Sequence, residues 1–309
     1  MTSLFIGAGF SKWACDIPMA KDLFDFKIDP FGIREYNNIE LVKKLKNNWD
    51  SQNPNGLAEM FIEYALKRDA KSQQIVLKYI VRRLSDKFIW KEFHAGRDRR
   101  HILMIDENRK NEIDGLIKAK NFLINLIPHL SGIITTNYDL LIEYALGTKL
   151  FNYGIEGTVL TGRGSYPLSQ WNNPVKLKGR LRLAKIHGSI SWDKNYIYTD
   201  GRRALSGNAL IIAPTPEKVP SDNLKHVWNL AKKILKESSR IIFFGFSFNS
   251  YDKAVLKLLK DTVKINKVLL IDIHSKKEIA EDIWPDAMID FCKPNLSVTK
   301  FCQNWIRSQ

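Results

Sequence analysis

The side chains of Asn137 and His187 stand where they could act on a bound ligand, because each lies at the polar end of an apolar run. A carboxamide donates and accepts hydrogen bonds without adding charge, so Asn137 could orient a hydroxyl group or a water molecule. An imidazole titrates near pH ~6.5 and could take a proton from either. We predict that these two residues are catalytic, although a lone histidine is more often structural.

Four apolar runs end in glycine or small polar residues, at Gly7–Ser11, Thr136–Asp139, Lys185–Ser189 and Gly245–Asn249. In a doubly wound sheet the carboxyl ends of the strands border the ligand crevice, and a glycine turn before a helix lets backbone N–H groups approach a phosphate. We therefore predict binding roles at these ends. The predicted binding residues are Gly7, Ala8, Gly9, Phe10, Ser11, Thr136, Asp139, Gly245, Ser247 and, after a further strand, Asp272.

Each of these residues also has a purely structural interpretation. The glycines of Gly7–Ser11 could form only a tight turn, and Asn137 or Asp139 could cap a following helix. The recurrence of the pattern at four predicted strand ends favours a ligand site, because such sites gather polar groups from several strands.

Six short apolar runs are bounded by glycine, proline or polar residues and predict β-strands. Unbroken apolar runs are typical of strands buried on both faces, as in parallel sheets covered by helices. We predict an α/β fold with a Rossmann-like, mostly parallel sheet flanked by helices. The predicted strands are Ser3–Gly7, Gly132–Thr136, Leu183–Ile190, Ala209–Ala213, Ile241–Phe246 and Val268–Ile273.

A long stretch between the first two predicted strands has apolar residues at helical spacing, such as Leu77 and Leu84. This pattern predicts a helical subdomain at residues 38–126. The subdomain would be inserted into a Rossmann-like core formed by residues 1–37 and 127–309.

The chain is strongly basic, with 48 lysines and arginines, 33 acidic residues and a formal net charge of +15. This charge favours an anionic partner such as nucleic acid, a nucleotide or an acidic protein, although mutational bias of a genome also produces it. Basic and apolar residues alternate from Val175 to Leu183, so one strand face would be basic. We interpret this strand as a charge-protected sheet edge, with an anion-binding surface as the alternative. The run Arg97–Arg100 is interpreted as solvated surface between helices.

Three widely spaced cysteines, Cys15, Cys292 and Cys302, predict neither a disulfide framework nor a CxxC zinc pair. The apolar start Leu4–Ile6 is too short for a signal peptide, and no run reaches the ~20 apolar residues of a membrane span. We expect a cytoplasmic protein without zinc.

The motifs at the strand ends resemble those of the sirtuin-like superfamily. The segments Gly7–Ser11, Thr136–Asp139, His187–Gly188 and Gly245–Ser247 occur in the order of that family, and the resemblance covers the core but not the helical insertion. Protein-deacylating sirtuins carry two CxxC pairs for zinc and a proline followed by Asp-Phe-Arg, whereas here Pro18 is followed by Met-Ala-Lys. The chain therefore resembles a zinc-free branch that includes NAD-hydrolysing effectors of bacterial antiviral systems.

That resemblance implies cleavage of the nicotinamide–ribose bond of NAD, the substrate, into nicotinamide and ADP-ribose. It also implies that the Gly7–Ser11 loop and Ser247 hold phosphate or ribose and that Asp139 contacts the nicotinamide carboxamide. Asp272 is predicted to accept a hydrogen bond from the adenosine ribose, as acidic residues do at Rossmann strand ends. The family's biology implies a homo-oligomer, a partner protein such as a HerA-like ATPase, or another defence sensor.

Two further functions stay open. A sensor or assembly module would bind NAD or ADP-ribose and leave it intact. Transfer of ADP-ribose or an acyl group to protein is a weaker alternative, because the zinc cysteines of common deacylases are missing from the sequence.

Overall fold

The computed structural model describes most of the chain. The described residues are 1–27, 36–85, 90–95, 100–105, 110–146, 151–154, 181–192, 209–212, 224–250, 252–262 and 264–308. The strands are β1 (Thr2–Ile6), β2 (Trp90–Ala95), β3 (Arg100–Ile105), β4 (Leu130–Thr135), β5 (Phe151–Asn152), β6 (Leu181–Lys185), β7 (Gly188–Ser189), β8 (Leu210–Ile211), β9 (Arg240–Phe244), β10 (Lys267–Ile271) and β11 (Met288–Cys292). The helices are α1 (Ala8–Cys15), α2 (Ala20–Leu23), α3 (Tyr36–Gln52), α4 (Ala58–Leu66), α5 (Ala70–Ser85), α6 (Lys110–Leu126), α7 (Leu141–Leu146), α8 (Lys225–Lys236), α9 (Lys253–Lys260), α10 (Lys277–Ile283) and α11 (Val298–Arg307).

A seven-stranded sheet forms the centre of the fold, in the order β11-β10-β9-β1-β4-β6-β5. All neighbouring strands in it are parallel. Strands β4, β5 and β6 lie on one side of β1, and the chain then crosses to β9, β10 and β11 on the other side. The strand order therefore reverses at β1, which is where open α/β sheets bind their ligands. The predicted Rossmann-like α/β fold is confirmed.

The central strands are apolar because both faces of the sheet are covered. Residues 4–6 of β1 are fully buried, as are Ile241 and Ile242 of β9 and Val268 of β10. Helices on both sides exclude water from these strands, which is why their sequences show no alternation. None of the helices in the described ranges combines the length and apolar character needed to cross a membrane.

Each of the six predicted strands overlaps an observed strand, but the run Leu183–Ile190 is divided in two. Strand β6 ends at Lys185, and β7 turns away to pair antiparallel with β8. Gly188 has a φ of +86°, a conformation that few other residues adopt, and this reverses the chain direction. The sequence did not predict β11, whose side chains are half-buried or exposed at the sheet edge.

The sequence predicted that the basic strand at residues 175–183 lies at a sheet edge. This prediction is wrong for residues 181–183, the described part of that strand. Strand β6 pairs with β4 on one side and with β5 on the other. The two-residue strand β5 covers the edge that the sequence left open. Arg182 lies half-buried, and its guanidinium donates to Ser131 O at 2.7 Å and to Glu237 Oε2 at 2.6 Å. Residues 175–180, which include Lys176, Lys178 and Arg180, lie outside the described residues.

The segment between β1 and β4 contains helices α3 to α6, and it also contains a hairpin. Strands β2 and β3 pair antiparallel from Trp90↔Ile105 to Ala95↔Arg100. Arg100 is the first residue of β3, so its predicted place between helices is wrong, and Arg97–Arg99 lie outside the described residues. Helix α5 docks on the core side through Tyr79 Oη and Arg83 Nε, which donate to Leu23 O at 3.2 and 3.3 Å. The division at residues 38–126 stays a prediction.

Candidate functional site

The register of the parallel strands aligns the residues that follow them. Thr135 of β4 pairs with Ile6 of β1 and with Lys185 of β6. Asn137 and His187 each lie two residues beyond this row, at the ends of adjacent strands. The two predicted catalytic residues therefore border the same edge of the sheet.

A glycine-to-glycine contact joins the end of β1 to the end of β9. Gly7 N donates to Phe244 O at 2.9 Å, and Gly9 N donates to Gly245 O at 3.0 Å. A Cβ on Gly245, whose φ is +62°, would lie 2.4 Å from Gly9 Cα, and a Cβ on Gly7 would lie 2.4 Å from Gly245 O. These positions require glycine because two backbones meet there at van der Waals distance.

The same contact limits what the first glycine loop can offer to a pyrophosphate. The backbone N–H groups of Gly7, Gly9 and Phe10 already donate within the protein. The side chain of Phe10 is buried against Phe244, with ring centroids 5.1 Å apart, so it belongs to the core. Ala8 is exposed, and its N–H has no hydrogen-bond partner within the described ranges. The predicted phosphate contact of this loop therefore rests on Ala8 and on the close approach that the glycines allow.

A directed chain of hydrogen bonds links Asn137, Ser11 and Asp139 beneath the strand ends. Asn137 Nδ2 donates to Ser11 Oγ at 2.9 Å, and Ser11 Oγ donates to Asp139 Oδ2 at 2.8 Å. All three side chains are buried. The chain ends on a carboxylate, which accepts only, so the direction of each bond is fixed.

The orientation of the Asn137 amide follows from a second contact. Asn137 Nδ2 also donates to Gly7 O at 2.9 Å, and a carbonyl oxygen can only accept, so the nitrogen must face Gly7. Both amide hydrogens are therefore used inside the protein. No described residue donates to Asn137 Oδ1, and the residue keeps 8% of its surface exposed. What Asn137 can offer a ligand is an acceptor, not the donor–acceptor pair that the sequence predicted.

Asp139 is held from three sides. Its Oδ1 accepts from Leu141 N at 3.0 Å at the start of α7, its Oδ2 accepts from Ser11, and its backbone oxygen accepts from Lys185 Nζ. The contact with Leu141 N is the helix-capping role that the sequence left open beside a ligand contact. The predicted contact of Asp139 with a nicotinamide carboxamide stays a prediction.

A buried ion pair supports Asp139 from below. Lys185 Nζ lies 2.9 Å from Glu143 Oε1, with only 1% and 2% of the two side chains exposed. Burial raises the pKa of Glu143, and the Lys185 ammonium opposes that rise. Glu143 Oε2 has no hydrogen-bond partner among the described residues. This pair was not predictable from the sequence, because Lys185 stands in an apolar strand and Glu143 in a helix.

His187 pairs with a residue that the sequence analysis did not select. His187 Nε2 lies 3.1 Å from Asp252 Oδ2, and both side chains are buried. Asp252 immediately precedes α9, and its N–H donates to Asn249 O at 2.9 Å after Phe248 turns the chain with a φ of +49°. An aspartate directly before an amphipathic helix predicts only an N-cap. The turn that redirects its side chain to His187 is not visible in the sequence.

Tyr138 closes the site beside His187. Its ring centroid lies 6.2 Å from that of His187, and its hydroxyl donates to Ile212 O at 2.7 Å. Burial raises the pKa of Tyr138 well above its usual value, and the negative charges of Asp252 and Glu59 act in the same direction. The phenol therefore stays protonated at neutral pH.

The remaining predicted binding residues lie around the rim. Thr136 is half-buried beside Asn137, and Ser247 is exposed, with its carbonyl oxygen accepting from Lys276 Nζ at 2.9 Å. Asp272 follows β10, and its Oδ1 accepts from Ile273 N at 2.6 Å. Asp272 is thus half-buried at the carboxyl end of the strand next to β9, as its predicted ribose contact requires.

Titratable groups in the described residues do not form a metal cluster: no group of three or more His, Cys, Asp or Glu side chains there could hold an ion. The cysteines Cys15, Cys292 and Cys302 are free thiols.

Comparison with known proteins identifies one domain. The family model of the SIR2-like domain matches residues 131–271. The chain matches none of the curated proteins significantly. The matched segment is similar to a SIR2-like domain, and it contains Asn137, Asp139, His187, Gly245 and Asp252. This similarity supports the sirtuin-like superfamily and an NAD-related function.

Proposed function

We propose that the protein is an NAD+ hydrolase that cleaves the nicotinamide–ribose bond and releases nicotinamide and ADP-ribose. The observation that carries this proposal is the buried His187–Asp252 pair, together with the acceptor oxygen of Asn137 at the end of the adjacent strand. The SIR2-like domain match supports NAD as the substrate. The site combines a base and an acceptor at the strand ends where Rossmann-like sheets hold dinucleotides.

The reaction requires one general base and little general-acid catalysis. Breaking the N-glycosidic bond develops positive charge on the ribose, and nicotinamide leaves as a neutral molecule, so the leaving group needs no proton. Water then attacks the ribose carbon and gives up one proton. The products are ADP-ribose, nicotinamide and that proton, which His187 accepts.

Asp252 determines which nitrogen of His187 accepts the proton. In the neutral imidazole one nitrogen carries hydrogen and the other a lone pair. Because Nε2 faces the Asp252 carboxylate, Nε2 carries the hydrogen and Nδ1 carries the lone pair. After proton transfer, the carboxylate stabilises the imidazolium, as the aspartate of a catalytic triad does.

Asn137 serves the reaction as a fixed acceptor. Its amide nitrogen is held by Gly7 O and Ser11 Oγ, so its oxygen can orient a ribose hydroxyl or the attacking water without rotating. Fixing one reactant in this way is worth several kcal/mol of activation free energy in favourable cases, on the order of a hundredfold or more in rate. The Asp139 carboxylate and Lys185 hold the chain of bonds in place.

The test is turnover of NAD by the purified protein, alone and together with the protein encoded beside it in the genome. Nicotinamide and ADP-ribose are quantified by chromatography. We expect His187→Ala and Asn137→Ala to abolish turnover while the circular dichroism spectrum stays that of the wild type. Matched controls are His129→Ala and Asn304→Ala, which change exposed residues of the same types, His129 just before the amino end of β4 and Asn304 in α11.

The outcomes separate the competing functions. Equal release of both products from wild type and control variants, with loss in the two site variants, supports hydrolysis. Binding of NAD that stays intact with and without the partner would contradict hydrolysis and favour a sensor or assembly module. ADP-ribose recovered on protein instead of in solution would favour transfer. The proposal also includes a role in antiviral defence in the cytoplasm. The protein would act there as a homo-oligomer or together with an ATPase partner.

A further inference from the structure

The solvent face of α8 is composed of cationic and neutral polar side chains. Lys225, Lys232, Lys233 and Lys236 are exposed there, together with His226 and Asn229. The opposite face is apolar and packs on the sheet. Its buried residues are Val227, Trp228, Leu230, Ala231, Ile234 and Leu235.

Three of these lysines form a straight row. At 3.6 residues per turn, positions 225, 232 and 236 fall within about 40° of one another around the helix axis. The row extends for roughly 16 Å at 1.5 Å per residue, close to the axial length of five nucleotides in one strand of a duplex. Lys233 lies beside the row on the same exposed side.

Little of the charge of this face is compensated within the described residues. Helix α8 contains no acidic residue. Glu237, which follows it, is bound by Arg182 at 2.6 Å. The Arg182 hydrogen bond lowers the pKa of Glu237, and Lys233 has a smaller effect in the same direction, so this single carboxylate is shared by two cations.

Lysines on other helices form ion pairs with acidic residues three or four positions away. In α3, Lys43 contacts Glu40 at 2.8 Å and Lys46 contacts Asp50 at 2.5 Å. At the end of α9, Lys257 lies 3.4 Å from Asp261. These i,i+3 and i,i+4 pairs are the usual way to stabilise an exposed helix, and α8 has none of them with its own residues. Lys225 also lies at the positive end of the helix dipole, which is unfavourable for a cation.

The composition of the face determines which anion it fits. Protein interfaces depend on buried aromatic and apolar anchors, and every apolar residue of α8 faces inward. Lysines bind phosphate as mobile point charges, and such contacts supply sequence-independent affinity for nucleic acid. We propose that the solvent face of α8 binds the phosphate backbone of nucleic acid without sequence selectivity. This binding does not depend on NAD hydrolysis.

The experiment measures fluorescence anisotropy of labelled 20-mers at several salt concentrations. The probes are duplex DNA, duplex RNA and single-stranded DNA of one sequence, with poly-glutamate as the acidic-protein comparison. The variant replaces Lys225, Lys232, Lys233 and Lys236 with glutamine. The matched control replaces four exposed lysines elsewhere and removes the same charge. These are Lys257, Lys260, Lys264 and Lys277.

Counterion release predicts the size of the effect. With four phosphate contacts, the slope of log K against log salt is about −3.6 for a duplex, so wild-type affinity falls about 100-fold between 50 and 200 mM salt. We expect the α8 variant to lose at least tenfold in affinity at 50 mM and most of that slope. The control variant is expected to change affinity less than threefold.

Three results would overturn the proposal. They are absence of binding to every nucleic acid probe, an equal loss in the control variant, and poly-glutamate binding as tight as that of the nucleic acids. The second result would indicate a general effect of net charge, and the third an acidic protein partner. Because the substituted lysines are exposed, unchanged melting temperatures show that each variant is folded.

Discussion

His187 Nε2 and Asp252 Oδ2 lie 3.1 Å apart although their chain segments follow strands on opposite sides of β1. His187 follows β6, and Asp252 follows the loop after β9. Strands β6 and β9 are three positions apart in the sheet, about 14 Å at the usual spacing. The two loops therefore reach toward each other over the ends of β1 and β4, at the edge where open α/β sheets bind their ligands.

Removing the charge of Asp252 while keeping its shape tests this relationship. Asp252→Asn leaves a similar volume but no carboxylate to stabilise an imidazolium or to fix the tautomer. We expect kcat for NAD hydrolysis to fall by about 10²–10⁴-fold, with KM changed much less. Steady-state kinetics of nicotinamide release provide the measurement. Asp286→Asn, at an exposed position, is the control and should keep wild-type kinetics; equal kcat values in all three proteins would remove Asp252 from the mechanism.

Variants of the buried pair of Lys185 and Glu143 distinguish a positioning role in catalysis from a purely structural role. Lys185→Met leaves Glu143 buried without its partner and should lower the free energy of unfolding by about 3–5 kcal/mol. The double variant Lys185→Met/Glu143→Leu replaces both charges with apolar groups. It should recover most of that stability.

Turnover should not recover with stability in this double variant. The backbone oxygen of Asp139 has lost its donor, so the chain of bonds through Ser11 to Asn137 is less well held. We expect kcat to stay at least tenfold below that of the wild type. On the same samples, denaturant unfolding measures the stability and NAD kinetics measure the turnover. A double variant with full stability and full kcat would show that the ion pair is only structural.

The contact between Gly245 and Gly9 predicts a strong steric effect. Gly245→Ala adds a Cβ 2.4 Å from Gly9 Cα at a φ of +62°. Because both sides of the clash are backbone, we expect a loss of about 3 kcal/mol in the free energy of unfolding. Ser247→Ala, at an exposed position two residues away, should stay within about 0.5 kcal/mol of wild type. A stable Gly245→Ala protein would mean that the two loops lie further apart.

Cys302 predicts a dependence of stability on alkaline pH. Burial raises the pKa of its thiol from 9.0 to about 12. Above pH 9 the unfolded thiol loses its proton while the native thiol keeps it, so the native state binds more protons and stability falls as pH rises. This group contributes a slope of about −1.4 kcal/mol per pH unit between pH 9 and 12.

Comparison of variants isolates that slope from other alkaline titrations. The free energy of unfolding of wild type and Cys302→Ala is measured from pH 8 to 10.5. The difference in the free energy of unfolding should shrink as pH rises, because only the wild type contains the Cys302 thiol. Cys292→Ala serves as the comparison, since its half-buried thiol has a pKa raised by burial to a smaller extent. Parallel pH curves for wild type and Cys302→Ala would contradict the prediction.

Much of the site was predictable because strand ends leave a local signature. Gly7, Asn137 and His187 each follow an apolar run, and parallel strands bring such positions to one edge. Asp252 and Glu143 could not be found in this way. Each stands at a position typical of a helix cap or a helix interior, and the partner that gives it chemistry is distant in sequence, at 65 and 42 residues respectively by residue number.

The sequence by itself determined the parallel α/β fold and the set of strand ends that gather at the crevice, because burial on both faces requires unbroken apolar runs and tight turns require glycine. Only the tertiary structure decided how the polar groups use one another. It directed both amide hydrogens of Asn137 into the protein, placed Asp252 against His187 and paired β5 with the first two residues of β6. Hydrogen-bond direction and ion pairing depend on distances of a few tenths of an ångström between residues far apart in the chain, and no local pattern encodes them.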